Sequence, residues 1–74
     1  MIYEKFLEME GKICLVILHT EVYYLVGELL FYDGNSFAIQ EQNLSKPSHH
    51  FSYDELKYIE ELLITPEDFF SRGI

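Results

Sequence analysis

Hydrophobic positions along the chain change period from one block to the next. Ile2, Phe6, Leu7 and Met9 recur at near-helical spacing, which predicts a short amphipathic helix over residues 2–9 that stops at Gly11. A helix this short cannot hold itself together and must pack on a sheet. From Ile13 to Leu18 every position is apolar, so a strand there has both faces covered, one by the interior and one by this helix or a neighbouring subunit. His19-Thr20-Glu21 is the polar break before Val22, predicting a tight hairpin although no Asn-Gly pair is present. Val22 to Tyr32 is rich in β-branched and aromatic residues, with Gly27 placed where a strand can bend sharply.

Asp33-Gly34-Asn35-Ser36 is a strong turn signal, because Asp and Asn bond their own backbone and Gly tolerates left-handed conformations. Phe37-Ala38-Ile39-Gln40 then alternates as a half-buried third strand, and Gln42 to Ser48 is a polar loop. Residues 51–64 admit two readings. Ser52-x-x-Glu55 is a capping box, and Leu56, Ile59, Leu62 and Leu63 share a helical face, which together describe a helix. Alternatively, Tyr53-Asp54-Glu55-Leu56 is a tight turn between a strand His49 to Tyr53 and a strand Lys57 to Ile64. The strand reading is favoured, since three strands alone cannot close a small barrel. Thr65-Pro66-Glu67-Asp68 opens a terminal helix: Thr65 caps, Pro66 suits the first helical position, and two acids complement the positive helix end. That helix, through Ser71 and ending at Gly73, presents Phe69 and Phe70 to the sheet or a neighbour.

Seventy-four residues make one domain, spanning 1–74. A chain of this size buries only about 60 to 65% of its unfolded surface. With 49% hydrophobic and 16% aromatic residues, it carries more apolar material than a lone small barrel easily hides, which points to a partner. Thirteen acids against five bases give a formal charge of −8, which repels phosphate backbones as a whole and disfavours RNA or nucleotide partners. One cysteine excludes an internal disulfide and suits a reducing cytoplasm; within its apolar run, Cys14 reads as a small buried hydrophobe. The N-terminus carries no basic leader, and no apolar stretch reaches the roughly 20 residues of a membrane span, so a cytoplasmic protein is expected.

No catalytic constellation is present, with neither a Gly-rich phosphate loop nor Cys-x-x-Cys, His-Glu-x-x-His or a nucleophile elbow. His49 and His50 are neighbours, so on a strand they point to opposite faces and do not chelate one metal together. We therefore expect no enzyme, no cofactor and no metal.

Gly27, Leu29 and Asp33 stand at the glycine-leucine-aspartate spacing of the Sm-like proteins, with Gly11-Lys12 before the first strand, and residues 3 to about 40 resemble that family. The resemblance implies a mostly β fold, an Sm-like, SH3-like small barrel of about five bent antiparallel strands with a short helix at each end. It also implies a symmetric homo-oligomer, such as a ring, in which the fourth strand of one subunit pairs with the fifth of the next and mediates protein interactions. Interface residues would be His49, Phe51, Tyr53, Tyr58 and Leu62. The alternative is RNA or nucleotide binding by the Asp33 to Phe37 loops, using Asp33, Asn35, Phe37, Tyr53 and Lys57, with Tyr32 as a further stacking candidate. The departures weigh against it. The family's Met-Asn pair after the aspartate is replaced by Ser36-Phe37, and no Arg-Gly pair stands near Ser52-Tyr53.

Overall fold

The computed structural model describes residues 2–20 and 24–71. Helix α1 (Ile2–Met9) ends where expected, because Gly11 takes φ 82°, a left-handed conformation that is costly for any side chain. The Gly11 N–H then donates to the Leu29 carbonyl at 2.6 Å, and the Leu29 N–H to the Lys12 carbonyl at 3.0 Å. The helix is thereby stitched to the sheet at its exit.

Strands β1 (Ile13–Leu18), β2 (Tyr24–Tyr32), β3 (Ser36–Gln40), β4 (His49–Ser52) and β5 (Leu56–Glu61) form one antiparallel sheet in the order β4-β3-β2-β1-β5. Of the expected first hairpin, Glu21 and Val22 lie outside the described residues. The strand reading of the second half holds, with three adjustments, the first being that Leu56 belongs to β5 and not to the turn. Tyr53 leaves β4 to begin a 3₁₀ turn (Tyr53–Glu55), and β5 stops at Glu61 rather than Ile64. The capping-box residues serve that turn instead of a long helix: the Glu55 carboxylate accepts from the Ser52 N–H at 2.9 Å.

Closure is the point on which expectation and structure part. β4 and β5 are consecutive in the chain yet occupy opposite edges, and no ladder joins them among the described residues. A flat five-stranded sheet would hold its edges roughly 19 Å apart, whereas three residues of 3₁₀ helix advance only about 6 Å. The sheet must therefore curl until its edges nearly meet. The 3₁₀ turn carries the chain across that gap end to end, so β4 and β5 never run side by side as a hairpin would. Its own bonds hold both sides: the Tyr53 N–H reaches the Asn35 carbonyl at 3.1 Å, and the His19 N–H reaches the Glu55 carbonyl at 2.8 Å.

Two bulges supply the curl, one at Leu30 on β2 opposite β3 and one at Lys57 on β5 opposite β1. Gly27 supplies the close approach: a Cβ built there would press on the Gln40 carbonyl oxygen and lie 2.7 Å from Ile39 Cγ2. The concave face holds the core, in which Cys14, Val16, Leu18, Leu25, Leu29, Phe37, Ile39 and Ile59 meet Phe6 and Met9 of α1. Phe6 sits 5.1 Å from the Phe37 ring and 5.0 Å from the Tyr53 ring, so α1 plugs the aromatic end of the curl.

On the convex face the expectation for β1 is met only in part. Ile13 is fully buried, whereas Leu15 and Ile17 are half-buried, the α1 side chains Phe6 and Met9 packing in the concave core. Helix α2 (Pro66–Ser71) starts as expected, with the Asp68 N–H donating to Thr65 Oγ1 at 3.1 Å, and its Phe69 is buried. Gln42 Nε2 donates to the Phe69 carbonyl at 2.8 Å, tying α2 to the loop after β3, while Gly73 lies outside the described residues. No described helix is long and apolar enough to cross a membrane.

Gly27→Ala is expected to cost about 3 kcal/mol in urea unfolding, since the new methyl meets backbone that cannot yield. Gly34→Ala, where nothing stands within 4 Å, should stay within about 0.5 kcal/mol of the parent.

Candidate functional site

The turn between β2 and β3 is organised by one carboxylate. Asp33 Oδ1 accepts from the Asn35 N–H at 2.7 Å, the Ser36 N–H at 2.8 Å and the Ser36 hydroxyl at 3.3 Å. The Asn35 N–H, followed by the Ser36 N–H, holds the Asp33 carboxyl below the ordinary aspartate range. Asp33 is thus committed to its own turn. Asn35 is exposed, and its carbonyl receives the Tyr53 N–H.

Phe37 lies in the core with no exposed surface, stacked on Tyr53 at 5.7 Å and 29° and tilted against Phe51 at 5.7 Å. The fold therefore gathers Asn35, Phe37 and Tyr53 at one end of the curl, with Asp33 beside them, and turns the Phe37 ring inward. Lys57 stands apart, exposed in the β5 bulge. The Tyr32 side chain lies outside the described residues.

The residues expected at an interface divide between the two sheet edges. On β4, His49 is half-buried, its Nε2 2.6 Å from Glu41 Oε1 and its ring stacked on Phe51 at 6.2 Å. His50 turns to the other face, with Nε2 3.3 Å from Ser48 Oγ, so the two imidazoles diverge as strand alternation requires. On the β5 side, Tyr58 is 46% exposed, and the Leu62 N–H donates to the Ile13 carbonyl at 2.8 Å, extending the β1–β5 ladder.

Two further features need the three-dimensional structure to be found. A groove of about 400 Å³ opens between Lys12 and the segment 61–66, with the Lys12–Glu61 ion pair at 3.7 Å along its wall and Leu63 almost fully exposed. On the convex face, Tyr58, Ile17 and Tyr24 fall in one cross-strand row, and Glu60, Leu15 and Val26 in the next. Residues distant in sequence meet there, and the apolar run of β1 was the one sign of them along the chain.

Cys14 is fully buried, and its thiol is pushed up to about 11, first by desolvation and then by the Glu61 charge, against a smaller opposing effect of Lys12. It offers no nucleophile at neutral pH. No family model, curated protein or solved structure matches this chain.

Two outcomes follow from these groups. Because the folded Asp33 pKa lies below its unfolded value, its stabilisation is present above the unfolded pKa and is lost as pH falls through the folded one. Asp33→Ala should lower the melting temperature at about pH 7, and thermal unfolding should show that deficit shrinking toward about pH 2. Cys14 should react with iodoacetamide at about pH 8 far more slowly in the folded chain than in urea, as followed by mass spectrometry.

Proposed function

We propose that this chain is a non-enzymatic, Sm-like module that assembles into a symmetric homo-oligomer and serves protein interactions. The observation that carries the reading is the open curled sheet, with β4 and β5 as edges that pair with no further strand among the described residues and are joined end to end by a 3₁₀ turn. An edge strand is a row of unmet backbone donors and acceptors, and a head-to-tail pairing of β4 with β5 of the next copy would satisfy both edges at once. Gly27, Leu29 and Asp33, which stand at the family's spacing, support it: Gly27 allows β2 and β3 to approach closely, Leu29 is buried in the core and Asp33 organises the turn. The buried, unpaired Cys14 suits a reducing cytoplasm.

The nucleotide reading finds less support. Phe37 is buried in the core and stacks on the half-buried Tyr53, and five scattered basic residues would neutralise few phosphates per subunit.

Light scattering at micromolar concentration should give one multimer. Ladder alternation fixes a specific variant: the Leu62 N–H faces β1, so that of Glu61 faces away from the sheet. Glu61→Pro removes an outward donor while leaving the β1 ladder intact, and should give a folded monomer by circular dichroism. A parent protein that is already a stable monomer would overturn the assembly. Poly-U should bind weaker than about 1 μM at about 150 mM salt; tighter binding lost in Lys57→Glu would favour the RNA reading.

A further inference from the structure

The convex face of the sheet is unlike the rest of the surface. Its first row, Tyr58–Ile17–Tyr24, crosses three strands with both tyrosines well exposed, at 46% and 61%. The second row sets the half-buried Leu15 and Val26 beside Glu60, and the third sets Glu28 beside Ile13, which is fully buried and closes the strip at that end. Three strands span about 10 Å, which matches the width of one peptide segment laid across them. Neither helix covers the Tyr58–Ile17–Tyr24 row: α1 packs in the concave core, and α2 is tied to the loop after β3.

The charge around this strip limits what can cover it. Glu60 lies against Tyr58 and, chiefly by its charge, holds the phenol above its ordinary range. Glu28 has a carboxyl raised by partial burial, and among the described residues its side chain has no ion-pair or hydrogen-bond partner. Lys57 is exposed in the bulge at the margin, and Lys12, next to Ile13 in the chain, is paired with Glu61 at 3.7 Å. A second copy placed face to face would bring glutamates against glutamates on a chain of charge −8, and nucleic acid or anionic lipid would be repelled likewise.

We infer that the strip of Leu15, Ile17, Tyr24, Val26 and Tyr58 docks a cationic amphipathic segment of another protein, its apolar side chains on the tyrosines and its Lys or Arg groups on Glu28 and Glu60. Exposed tyrosines are suited to this, since they bury large rigid area at little entropic cost. The inference rests on the protein-interaction part of the reading above; it shares Tyr58 with the expected ring interface on β5, while Leu15, Ile17, Tyr24 and Val26 lie on interior strands of the sheet.

The test titrates ¹⁵N-labelled protein with three synthetic peptides at about 150 mM salt: amphipathic Leu/Lys, Ser/Lys of the same charge, and Leu/Glu. The Leu/Lys peptide should bind with a dissociation constant on the order of micromolar and shift the amides of Leu15, Ile17, Tyr24, Val26 and Tyr58. Tyr24→Ser, on the interior strand β2 and outside the expected ring interface, should weaken it about tenfold, and Glu28→Gln with Glu60→Gln should weaken it and flatten its salt dependence. Circular dichroism checks that both variants fold. Equal binding of Ser/Lys or Leu/Glu, shifts confined to other surfaces, or no binding would overturn the inference, and so would loss of the multimer in the tyrosine variant, which would mark the strip as a self-contact. Mass is measured in the same samples, so a monomer that binds the peptide loses the ring and keeps the docking face, and a multimer that ignores it does the reverse.

Discussion

The structure depends on a length constraint. Two strands at opposite edges of a five-stranded sheet are joined by only three residues, and every other feature accommodates that short tether. Bulges at Leu30 and Lys57 bend the strands, Gly27 lets β2 approach β3 where a side chain would collide, and the 3₁₀ turn anchors to Asn35 on one side and His19 on the other. Curling a sheet this tightly leaves a hole at one end. Phe6, Phe37 and Tyr53 fill it, which makes the short N-terminal helix part of the core rather than an appendage.

The same constraint separates the two surfaces. On the concave side, burial is nearly complete, and even the lone thiol is sealed from solvent. On the convex side, Leu15, Ile17, Tyr24 and Tyr58 stay partly open, because the described residues form two short helices with which to cover five strands. Fully burying one such aromatic is worth roughly 2 to 3 kcal/mol, so leaving two exposed is a sizeable concession for a domain of this size.

Much of this architecture was legible along the chain. The apolar run at Ile13, the Asp33 turn, the Pro66 helix start and the stop at Gly11 each rest on local chemistry that tertiary packing did not override. Ser52 and Glu55 show the limit of such reading: their bond forms, yet it caps a single 3₁₀ turn, because β5 gains more from pairing with β1 than a helix would gain alone. The half-buried, alternating third strand expected over Phe37 to Gln40 is not what forms: Phe37, Ala38 and Ile39 are all buried, so both faces of β3 are covered and the direction of the Phe37 ring could not be read from alternation. The pairing of Tyr24 and Tyr58 across Ile17 was beyond reach for a different reason: it is set by a register that the Lys57 bulge shifts, and bulges leave little trace in hydrophobic period.

The pairing of β1 with β5 has a consequence in time. β1 leaves the ribosome well before β5, so the all-apolar edge from Ile13 to Leu18 has only β2 beside it until Leu56 to Glu61 emerges. At about 5 to 20 residues per second, that edge stays open for seconds, long compared with hairpin formation. During synthesis this chain is therefore a transient aggregation template, and the acidic Glu60 and Glu61 arrive on the strand that ends the exposure.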